Sequence, residues 1–365
     1  MPNEPVSNDQ MEGVLGMING KPSRARRIVL NNNGIKTRYY AIKDGKFTHT
    51  NTQLAAKAVS MLFDEKLPLE KLELLAAGTT SPEQLLPSHA SMVHGELGTK
   101  NVELVSVAGS CCSSIQALKY AFMSVGAGLS DVAASCGSER MSTWLMASRY
   151  QSEADSWQEM EKNPYIAFDK DFLRWMLSDG AGAALMQGTP NTDSISLKIE
   201  WLEISSYANE LETCMYSGAV KNPDTSLTGW NDMEVARWAN ESIFSLKQDT
   251  KLLAENIIKK GGEFLSKLMK TNGLTADKVD YFLPHMSSEF FKKEMYATMA
   301  SIGLEMPYEK WFYNLPAVGN VGSASAYLMM EELFHSGKLK KGEKILVMIP
   351  ESARFTYAYL YLTVV

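Results

Sequence analysis

An α/β protein assembled from two similar halves is predicted by three features of the sequence. Apolar runs of strand length alternate with helix-length periodic segments, which calls for crossover connections and a mostly parallel sheet covered on both faces. A unit of strand, small-residue loop carrying polar groups, and helix occurs in residues 21–190 and again in residues 191–365. A chain of 365 residues also suffices for two fused half-size cores.

The elements follow in order. Residues 1–20 are polar without an apolar core, and read as a flexible leader rather than a signal peptide. Order begins at the basic-to-apolar transition Arg24 to Leu30. Lys71 to Ala77 is a buried strand stopped by Gly78-Thr79-Thr80-Ser81-Pro82, and Val102 to Val107 is a second strand. A turn, Ala108-Gly109-Ser110, then delivers Cys111 and Cys112 to a helix with Ile115, Leu118, Phe122 and Val125 at helical spacing. Asp131 to Cys136 is a short apolar strand closed by Gly137-Ser138. About 141–178 is an enlarged insertion, and Ser178 to Met186 is a glycine–alanine turn feeding another strand. In the second half, Thr250 to Lys270 is helical and Val279 to Leu283 is a strand. Asn314 to Ala326 is a small-residue loop opening a helix, and Lys344 to Ile349 is a strand.

Composition excludes several classes. A net charge of −6 argues against general nucleic-acid binding. No apolar run reaches membrane-spanning length. Four cysteines, two of them adjacent, form neither a disulfide framework nor a metal pattern, so no metal is expected and a reducing cytoplasm is the natural setting. Six tryptophans (Trp144, Trp157, Trp175, Trp201, Trp230, Trp238) fall between residues 144 and 238. They fit a roomy pocket lined by adaptable side chains, or equally a subunit interface or ordinary core.

Three local patterns carry chemistry. Cysteine is a nucleophile as thiolate, and a helix N-terminus favours that anion; most cysteines before a helix are nonetheless small buried hydrophobes. Leu283-Pro284-His285-Met286-Ser287-Ser288 sets His285 at the end of a strand, where α/β sites lie, although a lone histidine is more often structural. Val318-Gly319-Asn320-Val321-Gly322-Ser323-Ala324-Ser325 is a loop of tiny residues with an amide at its apex; taken alone, Asn320 is a helix cap. The order of the three is what makes them specific.

Cys111-Cys112-Ser113-Ser114-Ile115-Gln116-Ala117-Leu118 resembles the nucleophile helix of ketosynthases, Pro284-His285 their Pro-His motif, and Gly319-Asn320 their Gly-Asn loop. Gly34-Ile35-Lys36-Thr37-Arg38, Thr79-Thr80-Ser81 with Pro87-Ser88, and Asp179-Gly180-Ala181-Gly182 match further landmarks. From about residue 25 onward the chain is similar to β-ketoacyl-ACP synthase III, in the thiolase superfamily. The resemblance implies a thiolase-like five-layer αβαβα fold of two duplicated halves, a homodimer, no cofactor beyond acyl thioesters on a carrier protein or CoA, and a Cys111-His285-Asn320 triad. The family spacing to Ala117-Leu118 fits from Cys111 and is one short from Cys112. The Cys111 N–H, with a second N–H from the C-terminal loop at Ala353, is the implied oxyanion site.

That loop departs from the family: Glu351-Ser352-Ala353-Arg354 stands where a glycine triplet is usual, and an N–H role at Ala353 requires a negative φ there. With Ser-Cys-Cys-Ser-Ser, Pro-His-Met-Ser-Ser and the long insertion, this loop resembles ketosynthases of dialkylresorcinol and flexirubin-type pigment biosynthesis. Those join a β-ketoacyl and an α,β-unsaturated thioester to a cyclohexanedione. Initiation of fatty-acid synthesis, or ester or amide formation on the same fold, are the alternatives. A thiolase would need a second catalytic Cys after Cys214, and none occurs. Glu139 reads as a structural turn acid rather than a base. Arg38, Arg354, Lys292 and Lys293 are candidates for binding substrate or an acidic acyl carrier protein, although solvated faces account for lysines equally well.

Overall fold

The computed structural model describes residues 1–159 and 168–365. Two four-stranded sheets form its frame. The first contains β1 (Leu74–Thr79), β2 (Glu103–Ala108), β3 (Val132–Glu139) and β4 (Gly180–Gln187) in the order β2-β1-β3-β4. The second contains β5 (Leu197–Ser206), β6 (Tyr281–Pro284), β7 (Lys344–Glu351) and β8 (Thr356–Val364) in the order β6-β7-β8-β5. β1 pairs in parallel with β2 and β3, and β4 runs antiparallel to β3. In the second sheet only β6 and β7 are parallel. The expectation of a mostly parallel sheet therefore fails for the second half, where β8 returns from β7 through a short turn.

The halves share one chain path. The first runs α2 (Asn51–Ser60), β1, α3 (His89–Leu97), β2, α4 (Ser113–Gly126), β3, β4, preceded by α1 (Arg24–Asn33). The second runs α5 (Thr250–Asn272), β6, α6 (Lys292–Ser301), a parallel bridge of Trp311 beside Phe282 where β2 lies beside β1, α7 (Ser325–His335), β7, β8. Thus the loops before α4 and α7, carrying Cys111 and Asn320, are equivalent.

Apolar faces set the layers. Ala55 and Val59 of α2 and Val93 of α3 pack on the outer face of the first sheet. Ile257 and Leu265 of α5 and Met295 of α6 cover the outer face of the second. Ile115 and Leu118 of α4 and Tyr327 of α7 pack between the sheets against Val347 and Leu360. The result is a five-layer αβαβα, thiolase-like fold. Packing between sheet and central layer is tight: a Cβ at Gly137 on β3 would lie 2.4 Å from the Ser323 carbonyl oxygen, so only glycine fits.

The leader is not flexible. Val6–Ser7 pairs antiparallel with Thr37–Arg38, Met11 and Leu15 are buried, and Asn3 Nδ2 donates to the Tyr40 carbonyl at 2.8 Å. Buried Glu12 accepts from Ser23 N and Arg26 Nη1, both at 3.0 Å. A polar segment docks because its two apolar residues and its side-chain acceptors find partners far along the chain, which no local pattern reveals. The described part of the 141–178 insertion joins the same core through Met141, Leu145, Trp175 and Leu177. No described helix is long and apolar enough to cross a membrane.

Candidate active site

Cys111 lies in the turn between β2 and α4, two residues before the helix begins, and Cys112 is the N-cap residue. His285 follows β6, whose register is fixed by the His285 N–H donating to the Met348 carbonyl at 2.8 Å. Asn320 sits in the loop before α7, held by its N–H on the Met176 carbonyl (3.0 Å) and by the Ser178 N–H on its own carbonyl (2.9 Å). Its Oδ1 accepts the Gly322 N–H at 2.9 Å, so the Nδ2 end is the one left to donate elsewhere. Cys111, His285 and Asn320 line one cavity, whose walls include Leu173, Leu253, Ile257, Phe291 and Met295.

The two thiols face different surroundings. Cys111 opens on that cavity. Cys112 does not line it; its Sγ donates to the Ile349 carbonyl at 3.3 Å and faces the Thr356 carbonyl at 3.6 Å. The site is buried, and this reverses the expectation of a thiolate. Burial pushes the Cys111 thiol up to about 12; the Glu351 charge pushes the same way, and the Ser110 hydroxyl at 3.7 Å only partly opposes it. Burial likewise lowers His285 to about 4, so its imidazole is neutral near pH 7. The resting pair is thiol and neutral imidazole.

A wider groove adjoins the cavity, and both are lined by Thr80, Ser110, Met215 and Leu246. Trp144, Trp230 and Trp238 face the groove, with Trp230 and Trp238 edge-to-face at 5.5 Å, and Arg140, Arg149 and Arg354 lie along it. Of the other tryptophans, Trp175 is fully buried and Trp201 stacks on Tyr361 at 5.4 Å. The Trp157 side chain lies outside the described residues.

Comparison with known proteins fits this arrangement. Residues 269–349 match the family described as 3-oxoacyl-[acyl-carrier-protein] synthase III, C terminal. β-Ketoacyl-[acyl-carrier-protein] synthase III of Clostridium acetobutylicum is 25% identical over 319 residues, spanning 86% of this chain and 83% of its own. The enzyme of the same name from Koribacter versatilis is 23% identical over 319 residues, spanning 87% and 84%. Among solved structures, AbyA1, described as a tetronic acid condensing enzyme, superposes with a TM-score of 0.74 at 19% identity, covering 100% of this chain and 97% of its own. Xanthomonas campestris OleA, crystallised with lauric acid and lauroyl-CoA, gives 0.71 at 19% identity, covering 99% and 96%. The chain shares the thiolase-like fold of these enzymes and resembles ketosynthase III-type acyltransferases in sequence.

Several of the expected binding groups have other work. Arg38 is fully buried, donating to the Trp175 carbonyl (2.5 Å from Nη2) and to Asn8 Oδ1. A Cβ at Gly319, where φ is +74°, would sit 3.0 Å from Arg38 Cγ. Arg38 therefore packs behind the Asn320 loop and lines neither the cavity nor the groove. Lys292 donates to the Tyr313 hydroxyl at 2.8 Å and lies over the Tyr308 and Tyr313 rings at 4.7 and 5.0 Å, while Lys293 is exposed. Arg354 is exposed on the groove wall, with Nε donating to the Leu211 carbonyl at 3.4 Å.

The oxyanion expectation at Ala353 is also corrected. Its φ is not positive, so the residue tolerates a side chain; Phe355 carries the left-handed conformation instead, at φ +59°. But the Ala353 N–H donates to Glu351 Oε1 at 2.7 Å and is not free for a thioester oxygen. Glu139 is fully buried and saturated with donors: Thr80 N at 3.0 Å, Thr80 Oγ1 and Ser81 Oγ at 2.7 Å, and Ser323 N at 3.1 Å. It ties the loop after β1 to the loop carrying Asn320, which is a structural role across the two halves. Sequence reasoning missed Glu351. Its signal is the same departure from the glycine pattern, which brings a carboxylate into the loop.

Proposed function

We propose that this ketosynthase joins two acyl thioesters through an acyl-Cys111 intermediate, condensing a β-ketoacyl and an α,β-unsaturated acyl thioester to a cyclohexanedione precursor of dialkylresorcinol-type lipids. The observation that carries the reading is the convergence of Cys111, His285 and Asn320 on one apolar cavity that adjoins a second, wider groove. Two adjoining spaces, one of them lined by Cys111, suit two chains.

The chemistry follows from the resting state. Because the buried thiol is protonated, attack on the first thioester is coupled to passage of its proton to the neutral His285 imidazole. The carrier thiol leaves with that proton, and the imidazole is neutral again. His285 and the Asn320 amide then donate to the carbonyl oxygen of the second thioester, where negative charge develops as its enolate forms. The enolate carbon attacks the acyl carbonyl and expels Cys111. The γ-carbon of the β-ketoacyl part then loses a proton and adds to the enoyl β-carbon, the enoyl α-carbon takes up a proton, and the ring closes.

An acyl carrier protein and a homodimer belong to the same proposal. Lys259, Lys267, Lys270 and Lys293 are exposed on α5 and α6, a basic surface of the kind that steers an acidic carrier. β2 ends its sheet with an unpaired outer edge and half-exposed residues, which supports pairing with a second copy. The test is incubation with a β-ketoacyl and a 2-enoyl thioester, followed by mass spectrometry of the product. A cyclic C–C-bonded diketone is expected. An ester or amide would replace the reading with acyl transfer to a heteroatom, and a product only from a malonyl donor would replace it with initiation of fatty-acid synthesis.

A further inference from the structure

Among the described residues, Glu351 is a buried carboxylate that acts on both Cys111 and Cys112 and that the chemistry above leaves unused. It ends β7 and, by strand alternation, projects on the same face as Val347 and Ile349, which pack with Cys111, Cys112 and Leu118. It is 6% exposed, yet backbone amides rather than a cation hold it: Ala353 N–H at 2.7 Å on Oε1 and Thr356 N–H at 3.3 Å on Oε2. Its neighbours in the strand and turn, Pro350 and Ser352, line the Cys111 cavity, while Glu351 itself lines the groove with Ser110 and Cys112. It therefore lies where the two spaces meet. Burial raises Cys111, Cys112, Cys214 and Tyr357, and the Glu351 charge adds to the shift of each. The acids Glu139 and Asp179 line neither space, and Glu83, the groove's other carboxylate, accepts the Thr52 N–H at 2.8 Å.

A β-ketoacyl donor has no carboxylate to lose, so its enolate must come from removal of an α-proton, and removal needs a base. His285 is already assigned to the thioester oxygen. We propose that Glu351 is the general base that takes the α-proton of the donor thioester once Cys111 carries its acyl group; this rests on the two-thioester reading above. The α-C–H bond breaks, its proton goes to a Glu351 oxygen, and its electron pair becomes the enolate held by His285 and Asn320. The enolate carbon bonds to the acyl carbonyl carbon and the C–S bond to Cys111 breaks. Protonated Glu351 then returns the proton to the Cys111 thiolate, leaving thiol and carboxylate as at the start. A base adjoining the thiol can serve both transfers, which a carboxylate elsewhere in the groove cannot.

The experiment compares wild type, Glu351→Gln and Glu351→Asp with synthetic β-ketoacyl and 2-enoyl N-acetylcysteamine thioesters. Intact-protein mass reads acyl-Cys111, and product mass reads the new C–C bond. Glu351→Gln should acylate undiminished while its C–C product falls roughly 10²- to 10⁴-fold, with Glu351→Asp recovering part of the loss. Product from Glu351→Gln at the wild-type rate overturns the proposal, as does loss of acylation together with product, which would mark a purely structural carboxylate. Should Glu351→Gln fail to fold, Glu351→Asp decides: slowed condensation with intact acylation supports the base, and unaltered condensation removes it. If wild type itself makes no C–C product, the function reading falls and the base with it. If wild type and Glu351→Gln make it equally, only the base falls.

Discussion

The cavity behind Cys111 and the groove beside Cys112 are separated by one residue of chain and differ in almost every property. The first is smaller and more enclosed, walled by Leu, Ile, Phe and Met side chains, and holds a neutral histidine and an amide. The second is wider, aromatic, rimmed with arginines, and holds the carboxylates Glu83 and Glu351. Cys112, on the groove side, is tied by its sulfur to strand carbonyls, whereas Cys111 has no such tether. Adjacent thiols of one helix cap thus acquire different chemistry from what the second half of the chain brings to each. Nucleophilicity here is a property of the tertiary setting.

That contrast can be broken from several sides. The largest effects belong to the donors of the cavity. Asn320→Ala and His285→Ala should each lower C–C product formation by about 10²- to 10³-fold, as loss of an oxyanion donor does elsewhere. An unchanged turnover in either variant would detach that residue from the reaction.

Next comes the strut between the loops that shape both spaces. Glu139→Ala leaves the Thr80 and Ser323 N–H groups buried without an acceptor and should cost about 3 kcal/mol of stability in chemical denaturation. A neutral result would mean that the two loops hold each other without it. The neutral state of His285 is checked by NMR titration of its ring. Burial disfavours the charged form, so the imidazole should stay neutral on acidification until about pH 4, not 6.5. The sign for stability follows: its contribution is complete above pH 6.5 and is lost as pH falls towards 4. Asp179, raised by burial to about 6, works in the opposite sense over the same range, which is why the ring and not the melting curve is the readout. An inflection near 6.5 would contradict a buried ring.

The smallest effect is expected on the groove side. Because Glu351 already takes the Ala353 N–H, Ala353→Gly should leave acylation unchanged and cost only about 0.5–1 kcal/mol through the freer unfolded chain. A marked gain in acylation rate would show that the N–H does reach the substrate.

Much of the site was legible because its pieces are local. A turn of Gly and Ser before a periodic helix, a Pro-His after a strand, and a Gly-Asn loop each announce themselves over a few residues, and the fold supplies only their convergence. What was illegible depended on partners far away. Arg38 reads as a surface cation until Trp175 and Asn8 close over it. The leader reads as loose because Met11 and Leu15 meet the core formed by the insertion and the second half. A thiolate is reasonable for a helix cap in water and unreasonable once desolvation outweighs the dipole. Ala353 looked like an oxyanion donor because nothing in the order Glu-Ser-Ala predicts that the acid folds back onto the amide two residues on.

The most direct test of the account is the identity of the acylated thiol. Wild type, Cys111→Ala and Cys112→Ala are incubated with an acyl thioester and their intact masses and cysteine peptides are compared. A single acyl group on Cys111 in wild type, retained in Cys112→Ala and absent from Cys111→Ala, is the predicted result. Acylation of Cys112 in wild type, or its persistence in Cys111→Ala at the wild-type level, would contradict it.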